Sequence, residues 1–175
     1  MKQKILMIVL LLSSLTLLTL SCQKQIALKQ QPPEEIVTTI GKANNPTFNL
    51  EVILRGEGDR FGHIKFRQDV DPSKIIVLDT WVRHLEPNHQ YLLQRAVDAA
   101  NVVDGNCTST GWLTLGKGLT PQSILTGDNG TGSEELWRDV STAASGTAFD
   151  IHFRVVDATT MAVVLTSECY QYMVR

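Results

Sequence analysis

Four histidines, three cysteines and one carboxylate–imidazole pair are the residues of this 175-residue chain with the most chemistry to offer. The histidines are His63, His84, His89 and His152. Asp150 and His152 stand two apart. On a strand that spacing puts both side chains on one face, with Arg154 next along it. A carboxylate beside an imidazole is the arrangement that orients a general base. No nucleophile is embedded with the pair, because Gly130-Thr131-Gly132-Ser133-Glu134 departs from the Gly-x-Ser-x-Gly elbow. The preferred reading is an exposed, ion-paired strand face, and no residue is assigned a catalytic role. His63 and His152 fall on polar, solvent-facing phases of their strands, while His84 and His89 flank a turn. Surface or packing roles therefore outweigh ligation, and no metal ligands are assigned. Gly116-Lys117-Gly118 lacks the rest of a phosphate-cradling loop. Asp69-Val70-Asp71 and Asp128 offer oxygens to calcium without the surrounding loop pattern that calcium sites use.

These residues need elements to position them, and the chain supplies three kinds of segment. Lys2 and Lys4 precede an almost wholly apolar run from Ile5 to Leu20, the pattern of an export signal. As a helix at ~1.5 Å per residue the run reaches about 24 Å, short of a hydrocarbon core of ~30 Å, so a removable signal is expected rather than a span. The run ends Leu18-Thr19-Leu20-Ser21-Cys22, which resembles the lipobox of bacterial lipoproteins, with Thr19 where a Leu is usual. The resemblance implies that Cys22 is lipid-modified and becomes the mature N-terminus. Acyl chains there would hold the protein on a bilayer, each buried CH₂ contributing ~0.8 kcal/mol. Residues 1–21 are thus expected as a lipoprotein signal peptide and 22–46 as an extended tether. Gln30-Gln31-Pro32-Pro33-Glu34-Glu35 favours an open chain, and Ile36-Val37-Thr38-Thr39-Ile40 is at most a short edge strand.

From residue 47 to 175 the period changes to two. Phe48, Leu50, Val52 and Leu54 alternate with polar or smaller residues, and so do Phe149, Ile151, Phe153 and Val155, as half-buried strands do. Further strands are expected over Lys74–Leu85, Gln90–Val97, Trp112–Leu115, Ser123–Thr126 and Met161–Val174; Glu134–Val140 reads as a strand or one helical turn. Turns are expected at Gly56-Glu57-Gly58-Asp59, Glu86-Pro87-Asn88 and Asp128-Asn129-Gly130, the last because Asn-Gly tolerates positive φ. About seven to nine short strands without a long helical period imply an all-β fold, an antiparallel Greek-key sandwich or barrel. Bulky inward residues suggest a filled core, with one of Trp81, Trp112 and Trp137 packed inside it.

The charge balance of 16 Lys+Arg against 18 Asp+Glu offers no positive field to a phosphate backbone, so no nucleic-acid partner is expected. With Cys22 lipidated, Cys107 and Cys169 remain as an even pair in an exported chain, which favours a disulfide over two free thiols.

Several segments taken together resemble the copper/zinc superoxide dismutase family. Gly62-His63-Ile64-Lys65-Phe66-Arg67-Gln68 is similar to its Gly-x-Val-x-Phe-x-Gln strand, and Val82-Arg83-His84-Leu85-Glu86-Pro87-Asn88 to its Val-x-Gly-Leu-x-Pro-Gly turn. Gly105-Asn106-Cys107-Thr108-Ser109-Thr110-Gly111 looks like its Gly-x-Cys-Thr-Ser-Ala-Gly segment. Asp128-Asn129-Gly130-Thr131-Gly132 looks like its Asp-x-x-Gly-x-Ala turn, and Glu168-Cys169 like the cysteine that pairs with the first. The resemblance implies that family's β-sandwich but not its chemistry. Its His-x-His pair falls at Leu92 and Gln94, and its zinc-binding His near Leu113. Copper and zinc require imidazole, thiolate or carboxylate donors. The expectation is a non-catalytic, lipid-anchored binding or structural module on the periplasmic face of the envelope or the cell surface. It needs no cofactor, and it is partnered by the membrane and by an envelope protein or ligand. The alternatives are a degenerate metal-binding relative of the dismutases, using the four histidines in a rearranged site, and a small-ligand carrier, which would need a sizeable apolar cavity.

Overall fold

The computed structural model describes residues 47–175. The expected signal peptide (1–21), Cys22, the tether (22–46) and the strand candidate at 36–40 lie outside the described residues.

Among the described residues twelve strands follow one another: β1 (Thr47–Arg55), β2 (Phe61–Asp69), β3 (Ile75–Arg83), β4 (Gln90–Val97), β5 (Leu113–Thr114), β6 (Gly116–Lys117), β7 (Thr120–Pro121), β8 (Ser123–Leu125), β9 (Gly132–Asp139), β10 (Ala148–Asp157), β11 (Val163–Ser167) and β12 (Tyr170–Met173). The count exceeds the seven to nine expected because β5 to β8 are fragments of two or three residues, split where glycine and proline interrupt the ladder. The ambiguous segment 134–140 belongs to strand β9, whose period of two buries Gly132 and Leu136.

The strands form one sheet in the order β5-β4-β10-β11-β1-β2-β3-β9-β6-β7, with β12 beside β10 and β8 beside β4. All pairings between strands are antiparallel except the single β6–β9 pair, Lys117 opposite Trp137. Since β8 bonds to β4 while Thr126 bridges Gly132 at the start of β9, the two halves of the sheet meet and the barrel nearly closes. Strands β1, β2 and β3 are linked as hairpins in continuous register, Arg55 opposite Phe61 and Gln68 opposite Ile76. The chain then crosses the barrel to β4, returns to β9 beside β3, and crosses again to β10. Such crossings between antiparallel neighbours are the Greek-key habit.

Alternation fills the interior. Val52 and Leu54, Ile64 and Phe66, Leu78 and Val82, Leu93, Leu136, Phe153 and Val155 are buried almost completely. Burying one such side chain contributes about 1.5–3 kcal/mol. Phe66 is the centre of an aromatic group, edge-on to Phe48, Phe153 and Tyr172 with ring centroids 5.9, 6.3 and 5.0 Å away. No tryptophan is in this core, contrary to expectation. Trp81 and Trp137 lie on outward phases, 42% and 37% exposed, and Trp112 is half-buried outside the sheet.

One end of the barrel collects the turns after β1, β3, β8 and β10; the other collects the turn after β2 and the loops 98–112 and 140–147. At the first end two turns dock on each other. Leu85 N–H donates to the Gly130 carbonyl (3.1 Å), Asn88 N–H to the Gly127 carbonyl (3.3 Å), and Asn88 Nδ2 to Asp128 Oδ1 (2.9 Å). Thr126, buried between them, donates from its hydroxyl to the Glu86 carbonyl (2.6 Å) and accepts from His89 N–H (3.0 Å). Gly130 is required here twice over: its φ is +69°, and a Cβ would stand 2.2 Å from the Leu85 carbonyl oxygen.

Candidate functional site

The positions that the resemblance assigns to metal ligands lie on β4, where Leu92 and Gln94 share the outward face, and on β5 at Leu113. Gln94 is buried there, and its amide is fully engaged: Nε2 donates to Thr114 Oγ1 (3.0 Å) and Oε1 accepts from Arg154 Nε (2.8 Å). The Arg154 guanidinium lies 4.0 Å from the Trp112 ring centroid, and burial holds its pKa below the usual arginine value. Leu92 and Leu113, both half-buried, complete the set. An aliphatic, an amide and a second aliphatic side chain supply no donor of the kind copper or zinc takes, so these positions do not fit the dismutase metals.

The histidines do not converge. His63 pairs with Glu51 and stacks on Trp81, ring centroids 5.6 Å apart. His89 donates to Asp157 Oδ2 (2.6 Å) beside the Tyr91 ring, whereas His152 donates to the Ser109 carbonyl (3.0 Å) under Trp112. His84 occupies the turn after β3 at φ +58°, and Asn88 follows at +53°. Both stand where the resembling turn has glycine. Among the described residues no group of three or more His, Cys, Asp or Glu side chains could hold a metal ion.

The strand face around Asp150 corrects the sequence reading. Asp150 is fully buried rather than exposed, and among the described residues it makes no ion pair. Its Oδ2 accepts the backbone N–H groups of Asp104 (2.8 Å) and Gly105 (2.9 Å). Asp98 works in the same way from the end of β4, accepting Thr108 N–H (2.8 Å) and Ser109 N–H (2.7 Å), which hold its carboxyl below the usual range. A disulfide joins Cys107 to Cys169 across 62 residues, with Cα atoms 5.4 Å apart. Asp150, His152 and Arg154 are thus a platform on which the 98–112 loop is fastened. Backbone amides need such acceptors when a loop lies flat on a sheet.

The interior is not filled throughout. At the end of the barrel where the 140–147 loop crosses, a cavity of about 310 Å³ opens to solvent. Its walls are mostly apolar, with Phe66, Ile76, Leu78 and Phe149 among them. Arg95 and Arg138 line it too. Both are on inward phases, Arg95 two residues after buried Leu93 on β4 and Arg138 two after buried Leu136 on β9. Burial, aided by Arg138 nearby, pulls the Arg95 guanidinium below its usual pKa. The sequence reading missed both arginines, although in strands a period of two places Arg95 in phase with Leu93 and Arg138 in phase with Leu136. Comparison with known proteins finds no matching family model, no similar curated protein and no similar solved structure.

Proposed function

We propose that the chain is a non-catalytic, lipid-anchored binding module of the cell envelope, carried on a superoxide dismutase-like barrel. The observation that carries the non-catalytic reading is the engagement of Gln94 by Thr114 and Arg154 beneath Trp112. The face that would have to present imidazoles is occupied by a satisfied amide network, and opening it would strand buried polar groups at about 1–3 kcal/mol each. The Cys107–Cys169 bond and the paired turns at 85–88 and 127–130 support the dismutase-like identity, since the same segments carry the resemblance. The lipobox-like Leu18-Thr19-Leu20-Ser21-Cys22 supports the anchor.

Two measurements test this. Metabolic labelling with an alkyne fatty acid in a lipoprotein-processing bacterium should tag the wild-type chain and leave Cys22→Ala unlabelled; an unlabelled wild type removes the anchor. Elemental analysis of protein purified without chelator should find no copper or zinc. Stoichiometric metal together with superoxide turnover would overturn the non-catalytic reading. A second reading, a small-ligand carrier, is favoured by the cavity beneath the 140–147 loop.

A further inference from the structure

Arginine is among the residues that interiors accept least, and it is kept inside only when its charge is answered. Two half-buried arginines on inward phases of β4 and β9, lining one cavity, therefore favour an anion there. Among the described residues no carboxylate lies within ion-pair distance of Arg95 or Arg138. Arg138 donates only to the Gly118 carbonyl, at 3.3 Å. Asp139 lines the same cavity and feels the charge of Arg138, but it is exposed and its Oδ1 accepts Ser141 N–H at 2.7 Å, which leaves Arg95 as the unanswered charge.

The space beside the two guanidiniums is apolar and small. At about 310 Å³ it lies at the lower bound of ligand sites, roughly 300–1,000 Å³. A two-chain lipid does not fit such a volume; one short chain or one ring does. We propose that this cavity binds a small amphipathic carboxylate, with its apolar part between Phe66, Ile76 and Phe149 and its carboxylate held by Arg95 and Arg138. The guanidinium fork matches a carboxylate in two parallel hydrogen bonds, and the apolar walls strengthen them by excluding water. This assignment rests on the binding-module reading and names the ligand class for it.

Calorimetric titration of the full chain with octanoate, octylammonium and octanol tests the charge requirement. Octanoate should bind saturably, octanol about tenfold or more weaker, and octylammonium not at all. Arg95→Gln should lose octanoate by about tenfold or more while melting as a folded protein. Ala143→Phe, which fills the cavity and leaves both arginines in place, should abolish binding; it carries the test if Arg95→Gln does not fold. Absent octanoate binding, equal affinity for octylammonium, or undiminished binding by Ala143→Phe would overturn the assignment. Failure here is distinguishable from failure of the envelope reading, because fatty-acid labelling at Cys22 is scored separately from octanoate affinity.

Discussion

The two ends of the barrel are finished by different means. At the turn end, short connections dock on one another through backbone hydrogen bonds, with Thr126 and Gly130 at the junction. At the cavity end, long loops are fastened from outside by Asp98, Asp150 and the disulfide, and the interior beneath is left open between two arginines. A satisfied end costs little to keep; an end with inward charge and empty volume is retained against stability. Proteins make that concession where a ligand is expected.

Perturbing each end separately tests the contrast. The largest effect belongs to the cavity end: replacing both Cys107 and Cys169 by Ser should lower stability by about 4 kcal/mol, the chain-entropy value for a loop of this length. Urea unfolding measures the loss, and hydrogen exchange should locate the new opening in residues 98–112. Opening at the turn end instead would break the comparison. Gly130→Ala comes next, at about 2–3 kcal/mol, from a left-handed backbone and a Cβ pressed on the Leu85 carbonyl. Arg95→Leu should move the other way, stabilising by about 1 kcal/mol while eliminating carboxylate binding. A destabilised Arg95→Leu would mean the arginine is structural. His84→Gly should stabilise by about 0.5 kcal/mol, since glycine meets the positive φ without strain.

The last perturbation is acid. Asp157 is drawn from its ordinary 3.8 to about 2, chiefly by Thr160 N–H, then by Thr159 N–H and His89. A carboxyl whose folded pKa is depressed adds stability that is fully present above its unfolded value and is lost as pH falls through the folded one. The contribution should therefore fade between about pH 4 and pH 2. Asp157→Asn should flatten that limb of a melting-temperature profile and lower the melting temperature by a constant amount above about pH 4.

Much of the framework could be read from residue order. Alternation located β1 and β10, the segments Lys74–Leu85 and Gln90–Val97 hold β3 and β4, and Asn129-Gly130 marked a turn whose glycine has the positive φ that the pair announces. The limits of such reading are physical. Alternation says which side a residue faces but not what covers that side, so Asp150 read as exposed although the 98–112 loop lies over it. One tryptophan was expected in the core, yet Trp112 covers Arg154 and Trp81 is a stacking surface for His63. The cavity was hidden because counting large inward residues measures supply, whereas a void depends on how far apart the strand ends are held.

The place of β1 within the sheet has a consequence for how the chain reaches this state. Strand β1 has β2 on one side and β11 on the other, and Ile53 N–H donates to Tyr170 hydroxyl, 117 residues distant in sequence, at 3.0 Å. Until β11 is present, β1 has one unsatisfied edge, the kind of surface through which chains adhere to one another. Folding dominated by such remote pairings is slow. Newly emerging copies of this protein therefore expose that edge of β1 to one another until β11 pairs with it.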